Sequence, residues 1–190
     1  MKIAILGWGS LLWDKDPEFE EQHEDWQVDG PSLKIEFSRV SQKRNGALTL
    51  VLDMKNGSSC QVAYAMSKRK IPDDARCDLR NREGTTLTNI GFCFVDNSRK
   101  QARDEGVLEA ICNWAVFKRI DVAVWTDLEN NFLAKSNCRQ PFSIEAALQH
   151  IQNLDSEGKA RAAEYVWRAP AFVKTPLREM LQVQPWWREG

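Results

Sequence analysis

Two short stretches hold the residue types that could do chemistry. The first is Gly7-Trp8-Gly9-Ser10-Leu11, which follows the apolar run Ile3-Ala4-Ile5-Leu6. Small residues in a turn of this kind let backbone N–H groups converge on an anion, because no Cβ blocks the approach. The second is Leu79-Arg80-Asn81-Arg82-Glu83-Gly84-Thr85, where Glu83 is the candidate acid/base. A turn that grips an anion and a carboxylate that moves a proton suit a reaction in which positioning does much of the work. Other chemistries are poorly supplied. The only histidines, His23 and His150, lie far apart and each lacks a second histidine nearby, so no metal site is expected. A Ser-His-Asp or Cys-His hydrolase would have to recruit one of these two.

The elements that must hold these groups are strand-rich over 1–126 and mainly helical over 143–182, within a single domain spanning 1–190. Ile3–Leu6 opens the sheet. Leu33–Val40 alternates apolar and polar residues as a half-buried strand does. Leu48–Asp53 and Cys60–Met66 flank a turn at Lys55-Asn56-Gly57 and read as a hairpin. Ile90–Val95 and Ile120–Trp125 are further strands, with a helix expected between them over Ser98–Val116. Helices are predicted over Ser143–Leu154, with Ser143 as N-cap, over Gly158–Trp167 and over Pro176–Leu181. Short turns, not regular βαβ crossovers, join the early strands. The expected class is therefore α+β with a mostly antiparallel sheet and flanking helices.

Bulk composition excludes several functions. The 26 Lys and Arg against 27 Asp and Glu leave a net charge of −1, which is not the basic field of a nucleic-acid coat. One Lys and four apolar residues precede Gly7, too few for a signal-peptide core. No apolar run approaches the roughly 20 residues that span a bilayer. Cys60, Cys77, Cys93, Cys112 and Cys138 are odd in number and widely spaced without Cys-x-x-Cys, as expected of reduced thiols in a cytoplasm. Trp8 and Trp13 flank the glycine turn, either in the core or as pocket walls, and Trp186-Trp187 either cap the fold or form a partner surface.

The glycine turn is not a dinucleotide fingerprint. Leu12 stands where the third small residue should be, Trp8 separates the first glycines, and Asp16-Pro17 interrupts the helix that should follow. Trp8-Gly9-Ser10-Leu11 after a first strand instead resembles the signature turn of the γ-glutamylcyclotransferase-like superfamily. Gly7-Trp8-Gly9-Ser10-Leu11-Leu12-Trp13 is most similar to its ChaC-type branch. Arg82-Glu83 matches the second mark of that superfamily. Arg44–Asp53, Ser59–Tyr64 and Ala163-Glu164-Tyr165-Val166 echo its middle and late regions in order.

The resemblance implies a small, mostly antiparallel β-barrel flanked by helices. It implies cleavage of a γ-glutamyl amide by intramolecular cyclisation to 5-oxoproline, with no metal or organic cofactor. Carried over by position, Gly7, Trp8, Gly9, Ser10 and Leu11 bind the substrate, Glu83 is the acid/base, and Tyr165 either contacts substrate or packs its ring. The partner is a small γ-glutamyl compound, with neither nucleic acid nor membrane. Trp8 stands in place of the usual tyrosine and Gln61 in place of a small residue, which opens substrates besides glutathione. The rival expectation is a non-catalytic module that keeps the fold and binds an anionic γ-glutamyl-like ligand. Hydrolysis of a related amide to glutamate is a third.

Overall fold

The structure is a computed structural model that describes residues 1–187. Its strands are β1 (Ile3–Gly7), β2 (Ser32–Val40), β3 (Leu48–Leu52), β4 (Ser58–Gln61), β5 (Ala63–Met66), β6 (Ile90–Phe94), β7 (Lys100–Gln101) and β8 (Val122–Thr126). Its helices are α1 (Pro17–Glu20), α2 (Pro72–Glu83), α3 (Glu105–Lys118), α4 (Phe132–Lys135), α5 (Ile144–Gln152), α6 (Ser156–Arg168) and α7 (Pro176–Gln182). The class is mixed α+β, as expected. The chain packs as two compact units, one from Met1–Leu33 with Gln61–Leu128, the other from Lys34–Cys60 with the chain from Glu129 onward. Among the described residues no helix is long and apolar enough to cross a membrane.

The first unit is built on a five-stranded sheet in the order β5-β1-β8-β6-β7. Its central pair, β1 with β8, is parallel, while the other pairings are antiparallel. Alternation along the strands gives the sheet two apolar faces. Ile3, Ile5, Ile90, Phe92, Val122 and Val124 share one face and pack with Ala75 and Leu79 of α2. The residues between them point the other way, where α3 buries Val107, Leu108, Ile111, Trp114 and Ala115. On that side Gly91 lies opposite Trp125, and a Cβ there would fall 2.2 Å from the indole.

The second unit carries a three-stranded sheet in the order β3-β2-β4, with α5 packed on both α6 and α7. Both sheets are open. Among the described residues no pairing closes either into the small barrel that the resemblance implies.

Several sequence expectations need correction. The two strands flanking Lys55-Asn56-Gly57 are not hairpin partners, because β2 lies between them. Asp53 closes that turn, accepting from the N–H groups of Lys55 and Asn56 at 3.2 and 2.9 Å, and its carbonyl accepts from Gly57 at 2.8 Å. The chain leaves the turn on the far side of β2. β2 is not half-buried either: Glu36 and Ser38, on its polar phase, are fully buried, as a central strand requires.

Cys60–Met66 is two strands, since Val62 bonds to Gly30 and Pro31 at 2.9 and 3.0 Å and divides β4 from β5. The helix expected over Ser98–Val116 begins only after Asp104, whose carboxylate caps it by accepting from Val107 N–H at 3.0 Å. The residues before it form the tight β6–β7 turn, with Asn97 in the left-handed region at φ 60°.

The Gly91–Trp125 pairing makes a direct test of the sheet. Trp125 is fully buried and has no room to retreat, so Gly91→Ala should destabilise the protein by about 1–3 kcal/mol, as overpacking does. Urea denaturation of the two proteins would measure it, and an unchanged midpoint would show that the indole is not held there.

Candidate functional site

The glycine turn grows directly out of β1, a strand paired on both edges, with β5 and β8. Gly7 ends that strand, and a Cβ on it would lie 2.8 and 2.9 Å from the Trp26 ring and 3.0 Å from Leu12. The chain then winds into a short 3-10 turn over Ser10–Leu12. Leu12, Trp13 and Asp14 donate its internal hydrogen bonds, to the carbonyls of Gly9 and Ser10. The N–H groups of Ser10 and Leu11, at the start of the turn, have no partner within it, which is the usual state of a helical start.

The side chains of the turn divide sharply. Trp8 and Leu11 are buried, and Leu11 joins the core cluster with Ile3, Phe19 and Leu79. Of the two readings of Trp8, core packing is the one observed. Gly7 and Gly9 are buried as well, so within Gly7–Leu11 only Ser10 is partly exposed.

Glu83 is the last residue of α2. That helix was not legible as one: it is almost wholly polar and buries only Ala75, Arg76 and Leu79. Two boundary signals were present all the same. Pro72 occupies the first turn, where its missing N–H costs nothing, and Gly84 closes the end in the left-handed region at φ 57°. Arg76 compensates for the scarcity of apolar residues by laying its guanidinium 3.9 Å from the centre of the Phe92 ring.

Arg82 ties this helix end to the glycine turn. Its guanidinium donates to the carbonyl of Asp14 and, at 3.4 Å, to that of Ser10, with the Asp14 carboxylate 3.9 Å away. Its side chain is only 12% exposed, so these bonds form largely out of water. Arg80 instead bonds the side chain of Asn81 at 2.7 and 3.1 Å. Glu83 itself is half-buried.

A cleft of about 390 Å³ lies beside Arg82, lined also by Asp16, Phe19, Arg69 and Asp78. It includes neither Glu83 nor the predicted turn residues. Its charges are largely committed: Arg69 forks onto Asp78 at 2.7 and 2.9 Å, and Asp16 caps α1 through Glu18 and Phe19 N–H groups.

The other expected residues fall as follows. Tyr165 belongs to the second unit, on α6, buried with its ring edge-on to Phe37 and beneath the Arg44 guanidinium at 5.0 Å. Gln61 is exposed at the end of β4. His23 is buried between Phe19 and Trp26, with its Nδ1 2.6 Å from the Glu24 carbonyl. His150 is buried, and Phe132 packs on its ring. The five cysteines are free thiols. Burial pushes the Cys93 thiol up, and the neighbouring Cys112 adds to the effect. Trp187 is buried against Trp167, while Trp186 is partly exposed. Among the described residues no group of three or more His, Cys, Asp or Glu is arranged to hold a metal ion.

No family model, curated protein or solved structure matches this chain.

The Arg82 tie can be cut. Arg82→Ala removes two bonds from a buried charged donor, a loss of about 1.5–3 kcal/mol per bond at most, and should speed amide exchange at Leu12, Trp13 and Asp14. Arg82→Lys should restore little of it, because both bonds come from the terminal Nη2 and a lysine ammonium sits one bond nearer the backbone. Hydrogen exchange followed by NMR is the measurement. Unchanged protection of the turn in Arg82→Ala would show that it stands without the tie.

Proposed function

We propose that this chain is a cytoplasmic γ-glutamylcyclotransferase-like enzyme. It cleaves a γ-glutamyl amide to 5-oxoproline and a free amine, with no metal or organic cofactor. The observation that carries the reading is the Arg82 tie, which links the helix end bearing Glu83 to the glycine turn, the two features the resemblance requires together.

The chemistry fits this residue inventory. The substrate's α-amine nitrogen attacks its own γ-carbonyl carbon. A new C–N bond closes the five-membered lactam, and the original C–N bond to the leaving amine breaks. The α-ammonium gives up two protons as it becomes the lactam N–H, and Glu83 passes them in turn to the leaving nitrogen, which departs as an ammonium ion. The N–H groups of Ser10 and Leu11 are the donors for the substrate carboxylate or for the oxyanion that develops on the γ-carbonyl. Because the nucleophile belongs to the substrate, effective molarities of about 10⁵ M or more replace a Ser or Cys nucleophile. A chain with two histidines, both buried in packing roles, suits this reaction better than a triad.

Trp8 is the observation that favours the rival reading, a binding module without catalysis. Its indole is buried where the resemblance calls for a tyrosine, so the turn lacks a phenolic hydroxyl to orient substrate.

Incubation with a panel of γ-glutamyl compounds, followed by mass spectrometry, separates the readings. The wild-type protein should release 5-oxoproline, and Glu83→Gln should lower the rate by about 10²–10⁴-fold at an unchanged melting temperature. Glutamate as the product would mean hydrolysis. No product from any compound, with the protein folded, would leave the binding module standing.

A further inference from the structure

The second unit buries a carboxylate at the root of its last helix. Glu36 lies in the middle of β2 with no exposed surface. One carboxylate oxygen accepts from the N–H of Phe37 at 2.7 Å, and the other from the N–H of Leu177, in the first turn of α7, at 3.3 Å. Thr175, the fully buried N-cap of α7, donates its hydroxyl to the same carboxylate and accepts from Arg178 N–H at 3.4 Å. A single side chain thus fastens the entry of α7 to the central strand.

Among the described residues no cation forms an ion pair with it. The charged group acting on Glu36 is a second carboxylate, Asp53, held by Ser38 at 2.7 Å, Asn130 at 2.8 Å and Asn56 at 3.0 Å. Burial works against the Asp53 anion, but those hydrogen bonds outweigh it and keep its pKa below the usual carboxylate range. Arg178, the cation nearest in sequence on α7, spends its guanidinium on the carbonyls of Ala169, Pro170 and Val173. For Glu36 burial is the largest influence. It prevails over the three donors, the Asp53 charge reinforces it, and the pKa rises from 4.5 to about 7.

We propose that Glu36 is a pH-sensitive latch for α7: protonated, it keeps the helix docked on β2, and ionised, it favours a state in which the entry of α7 opens and the carboxylate meets water. This inference is independent of the proposed activity. Its sign follows from linkage. A carboxyl group whose docked-state pKa exceeds its solvated value supports docking most strongly below pH 4.5, and that support is lost as the pH rises through about 7. Both values together give about a tenfold rise in α7 opening between pH 6 and 8.

The other titrating group of this unit acts with the opposite sign. His150 on α5 accepts from Asn137 N–H at Nδ1 (3.2 Å) and donates from Nε2 to the Gly46 carbonyl (2.8 Å). Burial holds it below 6.5, so its contribution is present above that pH and lost on acidification. Amides of α5 therefore serve as the internal control.

The test is amide hydrogen exchange of the full chain from pH 6 to 8, corrected for the intrinsic rate, with the Glu36 carboxyl titrated in parallel by carbon-13 NMR. The latch requires about a tenfold rise in opening at Met180, Leu181 and Gln182, no rise across α5, and a Glu36 midpoint of about 7. Glu36→Gln should flatten the α7 profile. A flat wild-type profile in α7, an equal rise in α5, or a rise that persists in Glu36→Gln would each overturn it. The wild-type profile decides the matter whether or not the variant folds.

Discussion

The Arg82 guanidinium can reach the carbonyls of Ser10 and Asp14 only if α2 lies on the β1–β8–β6 face of the sheet, with its C-terminal end at the glycine turn. The rest of the first unit is consistent with that constraint. The glycine turn follows the carboxyl end of the fully buried β1, and parallel pairing puts the carboxyl end of β8 at the same end of the sheet. Leu79, one turn before Arg82, is anchored in the same cluster as Leu11. The apolar pair fixes where the helix sits, and the charged pair fixes where it ends. Neither would suffice alone, because a helix with so little apolar surface has weak rotational preference on a sheet.

That poverty of apolar residues explains what the sequence could and could not convey. Strands whose two faces are apolar, such as Ile3–Gly7 and Val122–Thr126, were readable because their runs are short and bounded. Helices with strong amphipathic stripes, α5 and α6, were readable for the matching reason, and Ser143 caps α5 as its position suggests. α2 fails the periodicity test because a stacked arginine takes a place that an apolar residue would ordinarily fill. Its Pro72 and Gly84 boundaries were visible, but boundary signals alone do not announce a helix. The hairpin error has a different origin. Sequence neighbours are the natural first guess for pairing, and nothing local reveals that β2, nine residues long, takes the central position.

The candidate site was legible as residue types, not as geometry. Glu83 stood out among 27 acidic residues only because Arg82-Glu83 and the glycine turn together match the two marks of the superfamily that the chain resembles. The tie between them was invisible, since an arginine donating to main-chain carbonyls leaves no pattern in the letters. Glu36 was hidden more completely. On an alternating strand a glutamate reads as the solvent phase, and only the pairing of β2 on both edges and the docking of α7 enclose this carboxyl group away from water. Polar residues on a strand carry their meaning in the third dimension.

Burial of Trp8 and Leu11 bears on how a turn built mainly of backbone could act in the proposed reaction. Donors aimed at developing charge are effective only when they need no reorganisation as the charge appears. A loop anchored by its own polar contacts would move with solvent. Here the residues on either side of the Gly9-Ser10 backbone are driven into the core, and the Cβ-free Gly7 lets Trp26 close over the base of the turn. The rigidity of the N–H groups is therefore supplied by the hydrophobic effect, while Arg82 restrains the opposite, carbonyl side. Exchanging tyrosine for tryptophan at this position forfeits a hydroxyl but adds buried apolar area to one of those anchors. Under the proposed reaction, a tryptophan where the resemblance calls for a tyrosine would give up a directional substrate contact for a firmer backbone. Such a trade suits a substrate recognised chiefly by its carboxylate and its γ-carbonyl, the groups that backbone N–H donors bind.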